Sequence, residues 1–373
     1  MRCRFGVLLL LCVVTTAVRA QENRAPSVSI GDPAPALRLR GWVKGEAVEQ
    51  FEKGKVYVLE FWATWCRPCI AAMPHLSAVA REYEERVTVL SIDVYENKLV
   101  SLGKIKAFAD SMGNRMDFQV AAEDSNFMVA GWLDDTGEKR HGIPRTFIVD
   151  GEGRLVWMGY PTGLDSVLAK VVSRTWDIKG ALAKRKEDRR LAELDDSLGF
   201  EFAGYLGGAY KAGDRRKADS LLLWIDKIIK KEPKLQYAPF VGVNTFSALL
   251  LTDPHKAYEF GKVAMVTPTY EEPNYHLFYG SIGIYSDSLH LPAEIYELGA
   301  EAYQLDLDHR PYKDNDVFAR LYHEQAALYW RANDGPKAIE AAQKAIDMLK
   351  SGGGFSKSRL VAYESQLQEY KGK

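Results

Sequence analysis

Over the first 175 or so residues, short apolar runs alternate with stretches of helical periodicity, and beyond Trp176 the strand-like runs cease. Lys55–Phe61 and Val87–Ile92 are compact apolar runs of the kind that form strands buried on both faces. Arg67–Arg86, between them, repeats its apolar positions at helical spacing, so the three segments predict a βαβ unit. A helix over Leu99–Met112 and a short strand over Phe118–Ala121 follow. A hairpin then joins Arg145–Val149 to Leu155–Met158 through the turn Asp150-Gly151-Glu152-Gly153. Gly31-Asp32-Pro33-Ala34-Pro35 marks the loop leading into this α/β region.

Past Trp176, Lys179–Leu194 is a charged helical stretch, followed by repeated amphipathic helices. Asp253-Pro254-His255-Lys256-Ala257-Tyr258-Glu259-Phe260-Gly261 lines up with Leu291-Pro292-Ala293-Glu294-Ile295-Tyr296-Glu297-Leu298-Gly299 at an offset of 38. One helix start recurs at Asp214, Asp253, Leu291 and Asp334, a spacing suited to helical-hairpin repeats. Tyr322, Ala326, Tyr329, Ala338 and Ala345 resemble the interlocking positions of a tetratricopeptide unit, the alternative being packing positions of an irregular bundle. The expected organisation is a signal peptide (1–20), a leader (21–30), an α/β domain (31–178), a charged helical linker (179–197) and an α-helical repeat domain (198–373).

The export signal is read from Arg2 and Arg4 before the apolar run Phe5–Val14, with small residues at Val18-Arg19-Ala20 and cleavage after Ala20. An uncleaved anchor is the alternative, but the run falls short of the ~20 residues that span a bilayer. Cleavage removes Cys3, Cys12 and three arginines, leaving Cys66 and Cys69 as the only cysteines and a net charge of −4. That charge excludes a nucleic-acid footprint. A single close cysteine pair also excludes a disulfide-stapled scaffold, since so short a loop constrains the unfolded chain little. The pair is there for reactivity.

Cys66-Arg67-Pro68-Cys69 follows a buried strand and opens a helix, where free N–H groups and the helix dipole favour a thiolate. Cys66 is therefore the expected nucleophile, and Cys69, one turn on and more buried, the resolving thiol. Arg67 adds positive charge beside the thiolate and Pro68 shapes the turn. A structural zinc site would need a second ligand pair that the mature chain lacks, and haem attachment would need His where Ile70 stands. No metal or cofactor is expected. The seven histidines show no paired spacing, and of Trp62, Trp65 and Trp157 only Trp65, next to Cys66, is placed to meet a substrate.

Phe61-Trp62-Ala63-Thr64-Trp65-Cys66-Arg67-Pro68-Cys69 resembles the active-site segment of the TlpA and ResA type of exported thioredoxin-like reductases. Gly31–Pro35, Pro74 and Gly142-Ile143-Pro144 with Phe147-Ile148-Val149-Asp150 extend the resemblance over about residues 31–175. It implies an α/β thioredoxin-like domain followed here by an all-α helical-hairpin repeat (TPR-like) domain. It further implies a cis Pro144 opposite Cys66, with the Ile143 backbone free to pair with an extended substrate. Glu60, on the strand face of Val56 and Val58, resembles in position the acid that relays a proton to the buried cysteine of thioredoxins. The alternative is a partly solvated strand residue. Two positions depart from the pattern. Ala72 replaces the acid that ResA-like proteins carry after the motif, and Arg145 replaces a small hydroxyl residue, which bears on what the cleft accepts.

The implied activity is thiol-disulfide exchange, as a disulfide reductase, on exported client proteins. The implied partners are a membrane or periplasmic electron donor and a protein docked on the helical domain, with the bacterial periplasm as the location. Two rivals stand beside it: a peroxide-reducing redoxin, against which Ala63 stands where that family has Thr, and a helical-repeat binding scaffold that merely carries the thioredoxin fold.

Overall fold

The computed structural model describes residues 27–97, 99–212, 214–270, 275–286, 288–310, 314–351 and 356–372. The expected signal peptide, with Cys3 and Cys12, lies outside the described residues. The chain divides into two compact units, Met1–Leu182 and Ala183–Lys373.

The first unit is a thioredoxin-like α/β domain built on a six-stranded sheet: β1 (Leu39–Lys44), β2 (Val56–Trp62), β3 (Val87–Asp93), β4 (Gln119–Glu123), β5 (Arg145–Val149) and β6 (Leu155–Gly159). The spatial order is β1-β4-β3-β2-β5-β6. β2 runs parallel to β3 and antiparallel to β5, and every residue of these three strands is buried. This is why they read as unbroken apolar runs rather than alternating ones. Tyr57, Leu59 and Phe61 join Leu90, Ile92, Phe147 and Trp132 in one cluster, where the Trp132 and Phe147 rings meet edge-on at 5.3 Å. Val58 and Glu60 point to the opposite face by strand alternation. Helix α1 (Arg67–Glu82), which packs on β2 and β3, carries Pro74 inside it and buries Cys69, Ala72, Met73 and Leu76.

Helix α2 (Leu102–Met112) starts three residues later than its periodicity suggests, because the Ser101 side chain accepts from Lys104 N and caps it. The edge strand β1 escapes sequence reading, since Leu-Arg-Gly-Trp-Val-Lys breaks alternation with a glycine and two bulge-like register shifts. A π-helical turn at Val129–Asp134 and helix α3 (Leu164–Val172) are likewise additions to the expected elements.

The second part is helical. The charged stretch expected at 179–197 and the residues after it share one helix, α4 (Ile178–Ala212), laced by the i,i+4 pairs Lys184–Asp188 and Arg189–Glu193. It is followed by α5 (Arg215–Ile229), α6 (Pro239–Thr252), α7 (Pro254–Ala264), α8 (Tyr275–Ser286), α9 (Ala293–His309), α10 (Asn315–Arg331), α11 (Gly335–Ser351) and α12 (Lys357–Lys371). The recurring Asp accounts for three of the repeated helix starts. Asp214, Asp253 and Asp334 accept from the backbone N–H groups of Arg216, Lys256 and Lys337 at 3.1, 3.2 and 3.1 Å. The repeated glycines have a packing reason. A Cβ at Gly261 would lie 2.6 Å from Leu298 Cδ2, and one at Gly299 would lie 2.7 Å from Leu328 Cδ1, so both positions require close helix approach. Ala326, Ala338 and Ala345 are fully buried in one cluster, with Tyr322 and Tyr329 packed against it.

Candidate functional site

The loop leaving β2 ends at Cys66, whose N–H donates to Ala63 O at 3.0 Å. Cys66 is the N-cap of α1, and its sulfur accepts from Cys69 N at 3.3 Å, with Pro68 in the first turn where no N–H is needed. Cys66 and Cys69 form a disulfide with a Cα–Cα distance of 5.3 Å. Both cysteines are buried, while Arg67 and Pro68 between them are exposed. Trp65 is 58% exposed, its indole N–H donating to Tyr95 O at 3.3 Å. Trp62 is in the core and Trp157 is half-buried.

The loop before β5 closes the site from the other side. The Ile143–Pro144 peptide bond is cis, and Ile143 O lies 3.8 Å from Cys66 Sγ. The structure thus brings Trp65, Arg67, Pro68, Ile143 and Pro144 around one disulfide.

Glu60 is 1% exposed at the centre of β2, opposite Ser91 on β3 and Thr146 on β5. The Thr146 hydroxyl donates to Glu60 Oε2, and Oε1 has no hydrogen-bond partner among the described residues. Burial pushes its carboxyl up to about 8, partly offset by that hydrogen bond and by the Arg145 charge. No hydrogen bond joins Glu60 to either sulfur among the described residues.

Two groupings near the site are absent from the sequence reading. Asp93, at the end of β3, is buried beside Glu96 and Glu123, and burial followed by those carboxylates pushes it up to about 8. Glu96 Oε1 accepts from both the N–H and the hydroxyl of Thr64 at 2.6 Å, which fixes the loop two residues before Cys66. The second grouping surrounds Arg145. The sequence suggested that this arginine bears on what the cleft accepts; its guanidinium is buried, donating to Glu138 Oε2. Its Cζ sits 4.5 Å from the centre of the Tyr160 ring, and Tyr160 OH donates to His141 O at 3.3 Å. A partner seven residues away across an irregular loop leaves no periodic signal to find. Among the described residues no group of three or more His, Cys, Asp or Glu is placed to hold a metal, and no helix is long and apolar enough to cross a membrane.

Residues 30–158 match the AhpC/TSA family. The thiol:disulfide interchange protein DsbE of Pasteurella multocida is 32% identical over 159 residues, 39% of this chain and 78% of DsbE. The thiol-disulfide oxidoreductase ResA of Bacillus thuringiensis subsp. konkukian is 28% identical over 162 residues, 41% of this chain and 83% of ResA. Protein FixW of Rhizobium leguminosarum is 26% identical over 166 residues, 42% of this chain and 72% of FixW. Among solved structures, a thiol-disulfide isomerase from Corynebacterium glutamicum is 21% identical with a TM-score of 0.32, over 38% of this chain and 97% of that one.

Proposed function

Because the chain belongs to the thioredoxin-like family of thiol-disulfide oxidoreductases that includes DsbE, we propose that it reduces disulfides in exported proteins through the Cys66–Cys69 couple. The observation that carries this reading is a disulfide-bonded Cys-x-x-Cys pair at a helix N-terminus with its first sulfur facing Ile143 O. In the reduced enzyme the Cys66 thiolate attacks one client sulfur, and the client S–S bond breaks as the Cys66–client bond forms. The departing client thiolate takes up a proton. The ionised form of Glu60 then takes the Cys69 proton as Cys69 attacks Cys66 Sγ, and the second client thiolate, released as the Cys66–client bond breaks, takes up a proton in turn. The client gains two electrons and two protons, and a membrane or periplasmic donor returns the pair to the dithiol.

Trp65, Arg67 and Pro68 form the exposed rim that meets the client, and Ile143 offers its backbone to an extended segment where Pro144 has no N–H to compete. The N-terminal basic and apolar pattern supports export to the bacterial periplasm, and the recurring capped helix starts support a TPR-like array that holds protein clients. Insulin reduction tests the assignment. Wild type is expected to be active, Cys66→Ser inactive, and Cys69→Ser stalled as a client mixed disulfide. Activity surviving in Cys66→Ser would favour the scaffold rival, and peroxide oxidising Cys66 faster than disulfides do would favour the redoxin.

A further inference from the structure

The loop that carries Ile143 and Pro144 is tied down at both ends by one group. Glu138 opens the segment and is fully buried, while Arg145 closes it as the first residue of β5 and is 4% exposed. The charged pair between them spans the base of the loop, so its seven-residue separation is bridged by the most directional ion pair available to protein side chains. Tyr160, just past β6, adds two contacts: its ring lies against the Arg145 guanidinium and its hydroxyl bonds His141 O inside the loop. Within the loop the backbone bonds from His141 N to Glu138 O and from Gly142 N to Lys139 O are short-range and shape its turn. A charged pair buried in this place is costly to desolvate, and its worth lies in orientation rather than stability.

We propose that Glu138 and Arg145, with Tyr160 against them, are positioning residues that hold the Ile143–Pro144 segment at the distance from Cys66 that an extended client backbone needs. This rests on the disulfide-reductase reading and names how that site admits its substrate. Arg145 therefore acts from behind the cleft, on the opposite side of the loop from the substrate. Its effect falls on clients that pair with the Ile143 backbone and spares small disulfides that have no backbone to pair.

Single-turnover reduction by the full chain tests the inference with two substrates, an extended disulfide-bearing peptide and the small aryl disulfide DTNB. Single variants take away one charge of a buried ion pair and risk unfolding, so the informative variant is E138Q/R145M, which removes both. It is expected to melt near wild type. Its half-saturating peptide concentration should rise about tenfold while the limiting rate and the DTNB rate stay within about threefold. R145K, which keeps a charge opposite Glu138 without the planar fork, should recover part of the loss. A folded E138Q/R145M with wild-type half-saturation, or one slowed equally on both disulfides, overturns the inference. Hydrogen exchange at His141 and Gly142 separates this failure from that of the reductase reading. Faster exchange in E138Q/R145M supports the pair even if wild type reduces neither substrate, and unchanged exchange refutes it whatever the activity.

Discussion

At neutral pH the Glu60 carboxyl mostly keeps its proton, because the interior around it disfavours the charge more than Thr146 and Arg145 favour it, and a minor ionised fraction remains to take one from Cys69. Between about pH 4.5, where the unfolded chain releases this proton, and about 8, where the folded chain does, the native state binds the extra proton and stability falls as pH rises. Glu60→Gln abolishes this part of the decline, so unfolding midpoints at pH 5 and pH 8 should differ less in the variant than in wild type. The effect is on the order of 2–5 kcal/mol. The same substitution should slow release of the mixed disulfide about tenfold or more while leaving the first attack largely intact. Rapid-quench measurement of both steps checks this, and equal slowing would make Glu60 structural only. Strand alternation alone places Glu60 facing inward, and the cysteines are legible because a strand, a Cys-x-x-Cys and a helix follow one another. Arg145 and Asp93 are not. A charge at the end of an apolar run looks like a solvated strand terminus until its partner, Glu138 or Glu96, is seen beside it.

Helix α4 crosses the division between the two compact units, and its first turn belongs to the first of them. Ile178, Ala181 and Leu182 pack against the same cluster as Tyr57, Phe61 and Trp132. A fragment of residues 21–178 therefore loses apolar cover that a fragment of residues 21–190 keeps. The shorter one should melt about 2–6 °C lower, a difference that thermal unfolding reads directly. The change from strand to helix is plain in the sequence near Trp176, but the residue at which the packing of the first unit ends is not. A charged amphipathic helix continues through that point with its period unbroken. The repeated Asp starts and the Gly261 and Gly299 positions were legible as pattern, and their causes, capping and close approach, are visible only in three dimensions. The β1 edge strand shows the converse, since pairing with β4 imposes extended structure on a segment with little periodicity of its own.

Both cysteines of the proposed chemistry, with Glu60 and Pro144, lie in the first unit, and the helices of the second contribute none of them. If the halves divide the work as proposed, the 21–190 fragment should reduce a small disulfide at near the full-length rate. It should also lose preference among protein clients, because a docked client gains effective concentration at Cys66 and a free one does not. Competition between a protein client and DTNB, run on both lengths of chain, measures this, and an unchanged preference would remove the docking role. The disulfide has one more consequence, in parity. Cys66 and Cys69 are the only cysteines among the described residues, so they expose two thiols when reduced and none when oxidised. A chain counted with a single free thiol there has its other sulfur bonded to something else. An odd count, read by mass after alkylation, thus marks the molecules caught in mid-exchange without any knowledge of what they hold.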